Sequence, residues 1–127
     1  MLNFQNKAYL SLKMLKKENR ITKDKEFDQI FKTGQSFYTR VLGFKVIKTD
    51  TEISRFGILL GTKVSKKAVT RNLLKRRIRE IIQSNLNNLK PGFDLVIMVL
   101  PASLNLEFKD MEEALELGFR RLGLYKK

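Results

Sequence analysis

Between Thr62 and Arg79 the chain carries eight basic residues and no acidic one: Lys63, Lys66, Lys67, Arg71, Lys75, Arg76, Arg77 and Arg79. Threaded through the same stretch, Leu74, Ile78, Ile81 and Ile82 keep the i, i+4, i+7, i+8 spacing of a helix with one buried stripe. The spacing predicts a helix over 66–84 whose apolar side packs on another element. At roughly 100° per residue, Asn72, Lys75, Arg76 and Arg79 share a polar arc of about 100° beside that stripe. Arg71 and Arg77 flank the stripe on its two sides. A face that only meets water normally alternates Glu with Lys at i,i+4. Without such partners a dense cationic run repels itself unless a polyanion neutralises it.

The charge is local. Of 127 residues, 26 are Lys or Arg and 13 are Asp or Glu, giving +13 and a pI near 10.2. Residues 62–90 hold nine basic and one acidic residue, whereas 91–127 hold five basic and six acidic. The chain has no Cys, His or Trp. A disulfide framework, thiol chemistry and a zinc or haem site on His or Cys are therefore excluded. So are nucleophilic triads that need a His base. An apolar fraction of 43% and this length suit one domain with a real core. No run approaches 18 apolar residues, so no membrane span is expected, and lysines at 7, 13, 16 and 17 spoil a signal peptide. A cytoplasmic protein is the expectation, with no protein partner inferred.

The remaining pattern reads as α-β-β-α-β-α, an α+β sandwich of one small mixed sheet with helices. Residues 23–33 are a short helix, with Thr22 as cap, Asp24 and Glu26 in its first turn, and Gly34 to end it. Phe27, Ile30 and Phe31 form its apolar face. Residues 36–48 read as one strand, with Leu42, Phe44 and Val46 on one side and Val41, Lys45 and Ile47 on the other. A turn at 49–52 and a second strand at 53–60 then make an antiparallel hairpin. Residues 85–92 are a loop, 93–100 a buried strand, and 107–122 a second amphipathic helix with Phe108, Met111, Ala114, Leu115, Leu117 and Leu122 among its apolar positions.

No catalytic constellation of side chains is visible, nor a phosphate-loop or dinucleotide glycine motif. What the residues suggest is binding. Arg forks suit bidentate phosphate contacts and Lys supplies point charges. Phe27 and Phe31, one helical turn apart, fit either core packing or an aromatic platform for single-stranded nucleic acid beside a positive groove.

The run Lys63-Val64-Ser65-Lys66-Lys67-Ala68-Val69-Thr70-Arg71-Asn72-Leu73-Leu74-Lys75-Arg76-Arg77-Ile78-Arg79-Glu80 resembles the signature of the bacterial ribonuclease P protein family. Asn19-Arg20-Ile21, Glu26-Phe27, Ile30-Phe31-Lys32 and Gly34 resemble that family's opening, and Pro101-Ala102-Ser103 and Leu124-Tyr125-Lys126-Lys127 agree with its later parts. The resemblance covers about residues 14–127. It implies an α+β sandwich with a left-handed β-α-β crossover, against the usual right-handed rule. It also implies a subunit that assists a catalytic RNA, which with Mg²⁺ cuts the 5′ leader from precursor tRNA. Mg²⁺ would enter through the RNA, with no metal ligand and no catalytic side chain on the protein. By position, RNA contacts would fall to Lys63, Arg71, Asn72, Lys75, Arg76 and Arg79, with Lys66 and Lys67 added on charge. The leader cleft would hold Phe27, Phe31 and Lys45.

Two positions depart from the pattern. Leu73 stands where many members have a third cation, and Ser65-Lys66-Lys67 where many have Gly in the turn. Residues 1–13 have no counterpart, so they read as an extension of a domain at 14–127, or Met14 is the initiator. Two other classes remain open on the residues alone: a ribosomal-protein-like RNA-binding module with no part in cleavage, and a protein that is itself a nuclease.

Overall fold

The computed structural model describes residues 16–126, so the extension at 1–13 lies outside the described residues. The elements are α1 (Asp24–Thr33), β1 (Gln35–Tyr38), β2 (Leu42–Lys48), β3 (Arg55–Leu59), α2 (Ala68–Asn85), β4 (Phe93–Val99) and α3 (Phe108–Arg121). The α+β class holds, but the order gains a strand, because 36–48 is two strands. Thr39 breaks it. Its hydroxyl accepts from the Val41 and Leu42 amides at 3.2 and 3.0 Å, and its own amide donates to the Leu42 carbonyl at 2.8 Å. A Thr side chain offering the backbone this alternative favours a turn over a continued ladder.

The expected hairpin between 36–48 and 53–60 does not form. β1 pairs antiparallel with β2, and β4 lies between β2 and β3, antiparallel to the first and parallel to the second. The reason lies in β4, whose residues are buried at six of seven positions. A strand apolar on both faces wants a neighbour on each edge and a layer on each side. β3 and β4 are thus parallel neighbours joined through α2.

Alternation then sorts the two faces. Phe44, Val46, Phe56, Leu95 and Ile97 face one way, where Leu74, Ile78, Ile81 and Ile82 of α2 and Met111, Leu115 and Phe119 of α3 close the main core. Val96, on the opposite face, packs with Ile30 of α1 and Ile21 in a smaller core. The α2 stripe is the one its spacing predicts. The main discrepancy in α3 is Phe108, which is exposed because it sits at the first turn beyond the sheet's cover.

Ends and edges are tied down locally. Thr22 does not cap α1. Lys23 occupies that position with no side-chain bond, and the start is instead held by the Lys23 carbonyl accepting from Glu26 and Phe27. α3 ends in a Schellman motif, with Gly123 at φ +68°, its amide bonded to Arg120 and the Leu124 amide to Phe119. The outer edge of β3 receives Ile21, whose amide donates to the Phe56 carbonyl at 2.9 Å.

Candidate nucleic-acid interface

α2 buries one stripe and gives the rest to solvent. Arg76, Asn72 and the loop residues Lys63, Lys66 and Lys67 are exposed, and Lys75 and Arg79 are half-buried beside them. The loop before the helix is held in place from both sides. Val64 is buried under it, and the Arg71 guanidinium donates to the Ser65 carbonyl at 2.9 Å. Arg71 therefore spends one arm on the backbone and keeps the fork's remaining donors. The turn lacking Gly forms without strain: Ser65 accepts from the Lys67 amide at 3.2 Å, and no non-glycine among the described residues has positive φ.

Glu80 is the one acid on this helix, 3.7 Å from Arg76, whose side chain is two-thirds exposed. So exposed an ion pair holds the guanidinium weakly. Burial lowers the Arg79 pKa from its ordinary value, and the nearby charge of Arg20 lowers it further. Arg20 sits at the β3 edge, bridged to Phe56. In the midst of these cations Val69 and Leu73 stand exposed at 80% and 45%, so the position where Leu replaces a third cation is an outward one.

The second group of residues lies on the opposite face of the sheet. Phe27 lies against β3: a Cβ on Gly57 would come within 2.5 Å of its ring. Phe31 is half-buried, and Lys45 joins it to β2, with Nζ donating to the Phe31 carbonyl at 3.0 Å and lying 5.9 Å from the ring centroid. That ammonium thus meets the C-terminal end of α1, where the helix dipole favours it. Each phenylalanine packs on the small core yet keeps some surface in solvent.

Tyr38 was not among the expected residues and belongs with them. Paired with Gly43, it shares the sheet face of Lys45, its ring lies 2.7 Å from where a Gly43 Cβ would be, and it is 54% exposed. Its signal in the sequence is the alternation Ser36-Phe37-Tyr38 beside a glycine on the next strand, legible only once the turn at Thr39 is known.

Among the described residues no three His, Cys, Asp or Glu side chains gather into a metal site. No described helix is long and apolar enough to cross a membrane.

A model of the ribonuclease P family matches residues 15–123. The chain belongs to the ribonuclease P protein family. A ribonuclease P protein component from Clostridium botulinum is 38% identical over 110 residues, covering 86% of this chain and 98% of that one. The ribonuclease P protein of Thermotoga maritima superposes with a TM-score of 0.74 at 30% identity, covering 80% of this chain and 96% of that one. That of Staphylococcus aureus superposes at 0.80 over 87% of this chain and all of that one, at 23% identity, a likeness of fold. The family's signature thus falls on α2 and the loop before it, and its opening on α1.

Proposed function

We propose that this chain is the protein subunit of ribonuclease P, docking a catalytic RNA on α2 and holding the single-stranded 5′ leader of precursor tRNA in the cleft beside α1. One observation supports the docking face above others. Lys63, Lys66, Lys67, Asn72, Lys75, Arg76 and Arg79 all sit on one helix and its leading loop, with a single carboxylate against them. Such a surface recognises phosphates in number and is salt-dependent by nature. Arg71 joins it with its free donors. Across the sheet, Phe31, Tyr38 and Lys45 combine exposed ring surface with an ammonium, which suits unpaired bases strung on phosphates.

In this reading the chemistry belongs to the RNA. Mg²⁺ acts there, and the protein's own work is to bind, orient and neutralise. The site of action is the cytoplasm.

The deciding assay incubates precursor tRNA with the cognate RNA subunit at low Mg²⁺, with and without the protein. Correct 5′ cleavage should rise when the protein is added. No gain would reject the role in cleavage and leave an RNA-binding module, while cleavage by protein alone would point to a protein nuclease.

Two variants resolve the faces. Arg76→Ala should weaken binding to the RNA subunit and reduce the slope of log K against log salt by about 0.7–0.9, the value of one phosphate contact. An unchanged slope in a salt titration would remove Arg76 from the interface. Phe31→Ala should lower affinity for precursor tRNA in the holoenzyme and leave mature tRNA unaffected. Because the ring is half-buried, its stability cost should fall below the ~3–5 kcal/mol of a fully buried Phe. Unfolding as the main effect would make the residue core.

A further inference from the structure

The polar arc of α2 does not stop at Arg79. One turn on it reaches Gln83, which lines a cavity of about 580 Å³ between the helix end, the loop after β2 and the segment before α1. Ile53, Leu86 and Pro91 supply apolar wall, and Ile53 is 41% exposed with no strand or helix over it. Lys16, Lys90 and Lys126 also line the cavity and outnumber its two carboxylates, Glu18 and Glu52. The polar groups of Asn19 and Ser54 are already committed. Asn19 donates to the Ser54 carbonyl, and the Ser54 hydroxyl donates to Lys90 and accepts from Phe93. Gln83 is different: its carboxamide oxygen is cut off from solvent and has no hydrogen-bond donor among the described residues. Buried acceptors are nearly always satisfied, and an orphan asks for a reason.

We infer that this cavity receives one unpaired nucleotide of the RNA that docks on α2, a base whose Watson–Crick edge carries an exocyclic amine next to an acceptor ring nitrogen, that is, adenine or cytosine. The inference rests on the docking reading above. The last torsion of a Gln side chain is broad and roughly two-fold, so a modest rotation turns the orphaned oxygen into the cavity. There the carboxamide matches the amine with its oxygen and the adjacent Watson–Crick ring nitrogen (adenine N1 or cytosine N3) with its NH₂, the same donor-acceptor complementarity by which Gln reads an adenine amine and ring nitrogen. Ile53, Leu86 and Pro91 meet the base plane, and the lysines stand where the flanking phosphates enter. The volume lies within the range of small-ligand pockets. The stripe of phosphate contacts gives affinity without sequence information, and a base pocket at its end fixes register.

The test is dimethyl sulfate footprinting of the cognate RNA subunit with full-length protein, since this reagent reads unpaired adenine N1 and cytosine N3. One such base should be protected by wild type, its identity choosing between adenine and cytosine. In Gln83→Met the base should become reactive and RNA affinity should fall about tenfold, the scale of one lost base contact. The free variant should melt no lower than wild type, because the change deletes a buried orphan. Ile53→Ser, at an exposed position, should also lose the protection. Protection and affinity unchanged in both variants would overturn the inference, and if Gln83→Met melts lower, Ile53→Ser alone decides. Arg76→Ala separates the two levels: if it weakens binding while these variants do not, only the pocket fails, and if it has no effect, the docking face fails.

Discussion

Replacing Arg55 by Met is expected to cost about 3 kcal/mol at neutral pH, the low end of what breaking a buried ion pair costs. Arg55 spans two elements. Its Nε and Nη2 donate to the two carboxylate oxygens of Asp94 at 3.0 and 2.6 Å, and Nη1 meets Glu26 on α1 at 2.6 Å. The Asp94 side chain is 5% exposed on the central strand, while Arg55 is 30% exposed at the edge. Losing the cation strands the buried carboxylate, whereas losing the carboxylate would leave a guanidinium that water and Glu26 still serve. Arg55→Met with Asp94→Asn should recover most of the deficit, because the double variant leaves no buried charge unpaired. Urea unfolding across pH measures both variants against wild type. Glu26 adds a pH dependence in wild type. Burial pushes its carboxyl up from 4.5, but the hydrogen bond and charge of Arg55 outweigh this and leave it lowered. A lowered acid stabilises the fold above its unfolded value, and that contribution is lost as pH falls through the folded value. In Arg55→Met this acid-side loss should shrink to what the Lys23 amide and charge still supply. A deficit below ~1 kcal/mol that does not vary with pH would mean that the clamp does not hold α1.

Gly118→Val should be as severe, about 3 kcal/mol, and is expected to change the main core, not the cleft. Gly118 is in mid-helix, where Gly costs up to about 1 kcal/mol against Ala, so helix propensity alone argues for replacing it. Contact decides otherwise. A Cβ there would fall 2.5 Å from Cε1 and Cε2 of Phe44. Phe44 is fully buried between β1, α3 and the rest of the core and has no room to retreat. The glycine lets α3 lie directly on the ring. Even Gly118→Ala should destabilise, because overpacking by one carbon exceeds the propensity gained. A melting temperature raised by Gly118→Ala would show that Phe44 yields.

The sequence declares α2 almost completely, since Leu74, Ile78, Ile81 and Ile82 carry both its periodicity and its burial, and the cations between them have nowhere to go but out. It declares β4 as a strand through its unbroken apolar run. It does not declare pairing. Adjacent runs at 36–48 and 53–60 invite a hairpin, and only the two-sided burial of β4 hints that it belongs between them. The break at Thr39 is hidden because Phe37, Tyr38, Thr39 and Val41 all favour strands, and the deciding event is one hydroxyl meeting two amides. The same concealment kept Tyr38 out of the expected cleft. A helix turn and one strand face, by contrast, suffice to put Phe27 and Phe31 on the same small core and Lys45 against Phe31.

The placing of β4 also orders events in time. β2 and β3 are made in succession but must keep a lane open between them until residues 93–99 have been synthesised. The β1–β2 ribbon closes over a turn of three residues, while α2 waits with its apolar stripe uncovered. Contacts of high sequence separation form late because their loops must be closed first. A nascent chain stalled before β4 therefore exposes strand edges and an unpacked cationic helix at once, the species most prone to stick to RNA and to itself. The face of the sheet under α1 has no central strand until the last one slides in, so no fragment ending short of Val99 presents both candidate faces.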